Sequence, residues 1–227
     1  MIDYLLTISA SSMAVVAYII YYFSVKKSGI IPNRLAWIIC SLSVSMETVT
    51  YCFVTKDYIK SLYFIVCAVC SVLITIKIWQ SSKWNGSSRA QKNSLIFYSL
   101  AIAIWPLFQL PFIAHLLLLI IIPVAFFPIY ISAFKNYKNE NSLPWLLWSV
   151  SDLMIIITIF LKMKTIQELP YALVSFVCPF IVYAIIIFQR IRYSRVLRTS
   201  NFFTIQWGRG YSSLFNTMTR LSTMNFL

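Results

Sequence analysis

Long apolar runs alternate with short polar loops along most of the chain, and the pattern predicts seven helices. They run Tyr4–Ser24, Leu35–Val54, Tyr58–Trp79, Leu95–Gln109, Phe112–Phe134, Leu143–Leu161 and Leu169–Gln189. Several approach the ~20 apolar residues that cross a bilayer as an α-helix. An unpaired backbone is costly in lipid, and the strict alternation of barrel strands is absent, so helices are the spanning form. The fourth run is the shortest; it contains Pro106 and stops near Pro111, so it is kinked or ends further on. The first run has no basic residues before it and no small-residue cleavage site, which reads as a retained helix rather than a signal peptide.

The pattern also repeats. The stretch Pro128–Asp152 closes one apolar run, turns through a polar loop and opens the next on Pro144-Trp145; Ile20–Val44 has the same design 108 positions earlier. Without a gap, Tyr22 falls on Tyr130, Ser24 on Ser132, Lys27 on Lys135, Asn33 on Asn141 and Trp37 on Trp145. Further on, Met46 meets Met154, Lys56 meets Lys164, Tyr63 meets Tyr171 and Cys70 meets Cys178. About a quarter of positions 15–78 match in this way. Apolar helices share Leu and Ile by chance; shared Trp, Tyr, Asn, Lys and Cys at one offset indicate an internal duplication. The expected fold class is therefore all-α integral membrane: seven transmembrane helices arranged as two parallel three-helix repeats joined by a linker helix. The segments are 1–79, the first repeat; 80–111, loop and linker helix; 112–190, the second repeat; and 191–227, a basic cytoplasmic tail.

Composition agrees: 60% of the 227 residues are hydrophobic and 11% charged, too apolar for a water-soluble surface. The net charge of +13 does not indicate nucleic acid, because the basic residues sit in loops and tail, where membrane topology accounts for them. Lys26, Lys27, Arg34, Lys77, Lys83, Arg89, Lys92, Lys135 and Lys138 fall on one side with the tail arginines. The opposite loops hold Lys56, Lys60, Lys162 and Lys164, partly offset by Asp57 and Glu168. The positive-inside rule then puts the N-terminus outside and the C-terminus in the cytoplasm, with a bacterial inner membrane suggested by the compact loops. In the tail, Tyr211, Leu214, Phe215, Met218 and Leu221 recur at helical spacing. That is the pattern of an interfacial amphipathic helix, a disordered tail being the alternative, and its basic start suits anionic lipid.

Two three-helix units in parallel around a linker helix, with N outside and C inside, resemble the PQ-loop and SWEET superfamily. The residues that carry the resemblance are Pro128-Ile-Tyr, the polar loop 135–142 and Leu143-Pro-Trp-Leu-Leu-Trp148, with a degraded version in the first repeat. It covers residues 10–195. The resemblance implies a small-solute transporter or facilitator that works by alternating access, with the path between the repeats and helix hinges at proline. Pro128 and Pro144 are the hinge candidates. The Pro-Gln dipeptide is absent, and Tyr63 and Tyr171 lie near the level of the family's pocket asparagines. A receptor or sorting protein on the same scaffold, acting through its basic tail, is the alternative.

Two acids lie inside predicted spans, Glu47 and Asp152. At ~1.5 Å per residue both are deep in the hydrocarbon. An ionisable group there is expensive and marks a functional site by default. They read as contacts for a polar substrate or an exchangeable proton, with helix packing through Ser45, Ser149 or Ser151 as the alternative. Trp37 and Trp145 read as aromatic-belt anchors, with a gate role left open by their duplication. Trp148, a turn deeper, reads as pocket wall; Tyr63 and Tyr171 read as ligand hydroxyls or interfacial anchors. The five cysteines, including the Cys67/Cys70 pair, read as packing residues. No metal-ligand cluster, phosphate loop or nucleophile–base constellation is present, so no cofactor, metal or enzyme chemistry is expected. The expected partners are a small polar solute and the lipid bilayer, with a homo-oligomer left open.

Overall fold

The computed structural model describes residues 2–27, 34–81, 111–138, 140–163, 166 and 168–194, with positions 93, 96 and 99. Six helices form among the described residues, and no strand. They are α1 (Ile2–Lys27), α2 (Arg34–Thr55), α3 (Tyr58–Ser81), α4 (Pro111–Lys135), α5 (Ser142–Leu161) and α6 (Glu168–Ser194). Helices α1, α2, α3, α5 and α6 are each long and apolar enough to cross a membrane, and α4 is apolar over the searched stretch Leu119–Lys135. The predicted span Leu95–Gln109 lies outside the described residues apart from positions 96 and 99, as do the amphipathic pattern around Tyr211 and the loop residue Lys164. Contacts divide the chain into Met1–Ile187 and Phe188–Leu227. Of the second unit only 188–194, the end of α6, is described. The helix thus runs past the predicted start of the tail at 191.

Polarity is inverted relative to a water-soluble domain. Thr7, Ser43, Glu47, Thr50, Ser151 and Thr158 are fully buried, while Ile8, Phe53, Leu73, Ile120 and Phe160 are exposed. Lipid accepts the apolar faces, and the polar groups turn inward to find partners. Buried hydroxyls mostly close on their own helix: Ser11 Oγ donates to Thr7 O at 2.8 Å, Ser149 Oγ to Trp145 O at 2.8 Å and Thr158 Oγ1 to Met154 O at 2.9 Å. Two tie α2 to α3: Thr48 Oγ1 reaches Phe64 O at 3.1 Å, and Thr75 Oγ1 reaches Trp37 O at 3.2 Å. On α1 the buried stripe is small, Thr7, Ala10, Ala14 and Ala17, so this helix approaches its neighbours closely.

Helix α3 packs against both α1 and α2; α1 also packs on α5, and α2 on α4. A shift of 108 carries the ends of α1 to 110 and 135, beside those of α4, and the ends of α2 to 142 and 163, beside those of α5. The same shift carries the contact of α1 with α5 onto that of α4 with α2.

Local signals set the helix ends. Lys56 takes the left-handed conformation (φ 49°) in the two-residue turn between α2 and α3. Asp57 Oδ1 then accepts from the N–H groups of Ile59 and Lys60 at 3.2 and 3.3 Å, capping α3 and fixing where Lys60 emerges. Asn141 caps α5 by accepting from Leu143 N at 3.1 Å, and its Nδ2 donates to Ser24 Oγ of α1 at 2.9 Å. Pro144 stands in the first turn of α5, where a missing N–H costs nothing. Pro123 and Pro128 stand inside α4, where each removes an internal hydrogen bond. Replacing Asn141 by Ala loses both cap and inter-helix bond; a stability loss of about 1–2 kcal/mol is expected from thermal unfolding in detergent.

Candidate functional site

Asp152 and Tyr63 define the site. Asp152 sits midway along α5, on the face that also buries Trp145, Trp148 and Ile155. Tyr63 lies one turn into α3, and its hydroxyl donates to Asp152 Oδ1 at 2.6 Å. Ser151 Oγ stands 3.0 Å from the same hydroxyl and 2.8 Å from Trp148 O. With the tyrosine proton committed to the carboxylate, the serine proton is shared between the tyrosine oxygen and the backbone carbonyl.

These groups open onto a cavity of about 90 Å³. Its wall contains four pairs of residues 108 positions apart: Tyr18 and Phe126, Val44 and Asp152, Tyr63 and Tyr171, Cys67 and Ser175. Phe64, Ile122, Trp148 and Pro179 complete it. Trp148 is buried, and its Nε1–H finds no acceptor among the described residues. Trp145 differs, because its Nε1–H donates to Glu140 Oε1 at 3.2 Å.

Beyond the cavity wall stand two contacts between residues 108 apart, one toward each end of the helices. At the end of Asp3 and Lys162, Lys60 Nζ forms a salt bridge and hydrogen bond with Glu168 Oε2, and donates to Lys162 O at 2.7 Å. Lys60 is 2% exposed and Glu168 fully buried, so this pair is removed from solvent. Lys162 Nζ holds Asp3 Oδ2 at 2.7 Å, a hydrogen bond that raises the pKa of the exposed Lys162 ammonium and keeps it charged into the alkaline range. At the opposite end Trp37 and Trp145 stand 6.4 Å apart between ring centroids. Tyr21 fills the space around them, 4.9 Å from Trp37, 5.7 Å from Trp145 and 5.6 Å from Trp148. Such aromatic pairs add ~0.5–1.5 kcal/mol each beyond burial.

The structure thus brings Asp152, Tyr63, Tyr171 and Trp148 to one cavity. Glu47 is not in its wall: it is fully buried on α2 with Ser43 and Thr50, whose Oγ1 lies 3.5 Å from Glu47 Oε2. Tyr171 lies within electrostatic reach of both carboxyls, which links the two acids indirectly. Pro128 lies in α4 and Pro144 at the start of α5, both outside the cavity wall. Trp37 and Trp145 correct the belt expectation: they are buried against each other rather than turned to lipid, because α1, α2 and α5 converge there. Tyr63 and Tyr171 are likewise buried and not interfacial. All five cysteines are free thiols; Cys40 and Cys178 are buried in the core, whereas Cys67 belongs to the cavity wall.

Lys60 and Glu168 were expected as loop charges and are instead a buried helix pair. Their signal was in the repeat: position 60 aligns with position 168, and the two carry opposite charge. Tyr18, in the wall with its equivalent Phe126, was also legible only through the offset. Among the described residues no group of three or more His, Cys, Asp or Glu could hold a metal ion. Comparison of the chain with protein-family models, with curated proteins and with solved structures finds no match.

Proposed function

We propose that this chain is a small-solute membrane transporter in which two parallel three-helix repeats alternate access to a central cavity. The observation that carries the reading is the meeting of repeat-equivalent residues with each other. Two equivalent positions touch only at the axis relating the repeats, and Lys60 with Glu168 and Trp37 with Trp145 do so toward opposite ends of the helices. The matching ends of α1 with α4 and α2 with α5, and the exchange of their contacts under the same shift, support that axis. Parallel repeats hold substrate at their interface near the midplane. By the positive-inside rule Lys60–Glu168 closes the outer end, and the tryptophans close the cytoplasmic end. The conformation is then occluded. Release requires one closure to open while the other holds, with Pro123 and Pro128 as the places where α4 bends.

The test is exchange across a bilayer. Purified chain in sealed proteoliposomes is expected to exchange one class among sugars, amino acids, nucleosides, vitamins and amines faster than protein-free liposomes. Equal rates for every class would contradict the proposal. Trp145→Ala, which opens the cytoplasmic closure, is expected to raise leak or abolish accumulation while the folded protein persists at reduced stability, by about 3–5 kcal/mol.

A further inference from the structure

We propose that the cavity is built for a small monovalent organic cation, an ammonium compound of a few heavy atoms, held by Asp152 inside an aromatic cage. This deepens the transporter reading and rests on it only for the passage of the ligand, not for its binding. Six rings line the cavity, those of Tyr18, Tyr63, Phe64, Phe126, Trp148 and Tyr171. The cavity, about 90 Å³, has room for a molecule of a few heavy atoms among these rings. A cation within ~6 Å of an aromatic centroid is attracted by the ring quadrupole, more strongly where water is excluded.

Charge makes the second half of the case. Among the described residues Asp152 is the one acid in the wall, and no Lys, Arg or His lines it. The carboxylate's protein partner is a tyrosine hydroxyl, which solvates it without neutralising it. A buried carboxylate without a counter-cation is costly, so it either holds a proton or pairs with a cation, and the aromatic wall favours the cation. An anion would face the carboxylate and the negative ring faces, and is excluded. A sugar is disfavoured as well, because a dense set of hydroxyls would meet mostly apolar wall: Val44, Phe64, Ile122, Phe126 and Pro179.

The experiment is titration calorimetry of the full chain in detergent with tetramethylammonium and with tert-butanol, a neutral molecule of similar shape. Tetramethylammonium is expected to bind and tert-butanol to bind at least tenfold more weakly. Asp152→Asn keeps an acceptor for Tyr63 and is expected to weaken the cation at least tenfold. Tyr18→Phe retains the ring and is expected to retain binding; Tyr18→Leu is expected to weaken it severalfold. The proposal is overturned if the neutral analogue binds as well as the cation, if Asp152→Asn binds the cation unchanged, or if no cation binds to protein shown folded by its unfolding transition. The fates of the two readings separate. Exchange of an uncharged solute without cation binding removes the cation and keeps the transporter. Cation binding without exchange in proteoliposomes keeps the cation site and removes the transporter.

Discussion

Glu168→Gln and Lys60→Met are each expected to lower stability by about 3–5 kcal/mol, because each takes an opposite charge away from a buried one. Neither residue is near a chemical group that would make it interesting on its own. The size of the effect follows from burial: Lys60 is 2% exposed and has Glu168, the Lys162 carbonyl and Asp57 as its surroundings. Thermal unfolding in detergent measures it. The double change Lys60→Met/Glu168→Met removes both charges together and is expected to recover most of the loss, since well-packed apolar replacement of a buried pair is often neutral or better. The exchange Lys60→Glu/Glu168→Lys is expected to recover part of it, because opposite charges still meet when the two trade places, although Asp57 and the Lys162 carbonyl favour the original order. Single variants that lose less than about 1 kcal/mol would mean that the pair behaves as a solvated surface bridge.

Asp152→Asn is expected to do the opposite: little to stability, much to function. The amide oxygen still accepts from Tyr63, and the volume is unchanged, so the unfolding temperature should move by a few degrees at most. Exchange in proteoliposomes should fall at least tenfold, because the only carboxylate among the described residues of the cavity wall is gone. Tyr63→Phe is the matched control. It leaves the carboxylate in place without its 2.6 Å donor, and is expected to cost about 1.5–3 kcal/mol of stability. If Asp152→Asn unfolds the protein while Tyr63→Phe leaves it untouched, the carboxyl serves packing and not passage.

Much of this arrangement could be read from the chain. Apolar runs of membrane length give the helices, and the offset of 108 carries the ends of α1 beside those of α4 and the ends of α2 beside those of α5. The cost of an acid inside a span picks out Asp152, and the repeat picks out Tyr63 and Tyr171. What could not be read is which face each helix turns inward. Glu47 and Asp152 look alike as intramembrane acids, yet the rotation of α5 puts Asp152 in the cavity wall while that of α2 buries Glu47 away from it. Hydropathy does not resolve that rotation, because on a helix surrounded by lipid the outward face is as apolar as the inward one. Trp37 and Trp145 were misplaced for a related reason: a tryptophan near a helix end suits the membrane interface, and only the convergence of three helices buries it. Lys60 and Glu168 failed as charges counted for topology, where the sum of charges matters and their partners do not.

Cys67 offers the most direct test of the central claim, that one cavity opens alternately to both sides of the membrane. It lies in the wall next to Asp152 and can be kept as the sole cysteine by replacing the other four with Ser or Ala. A membrane-impermeant thiol reagent is applied to one face of sealed vesicles at a time. Alternating access predicts labelling from either face, slowed from both by the solute the cavity binds. Labelling from one face alone under every condition would contradict it, and would leave a one-sided binding site of the kind a receptor has.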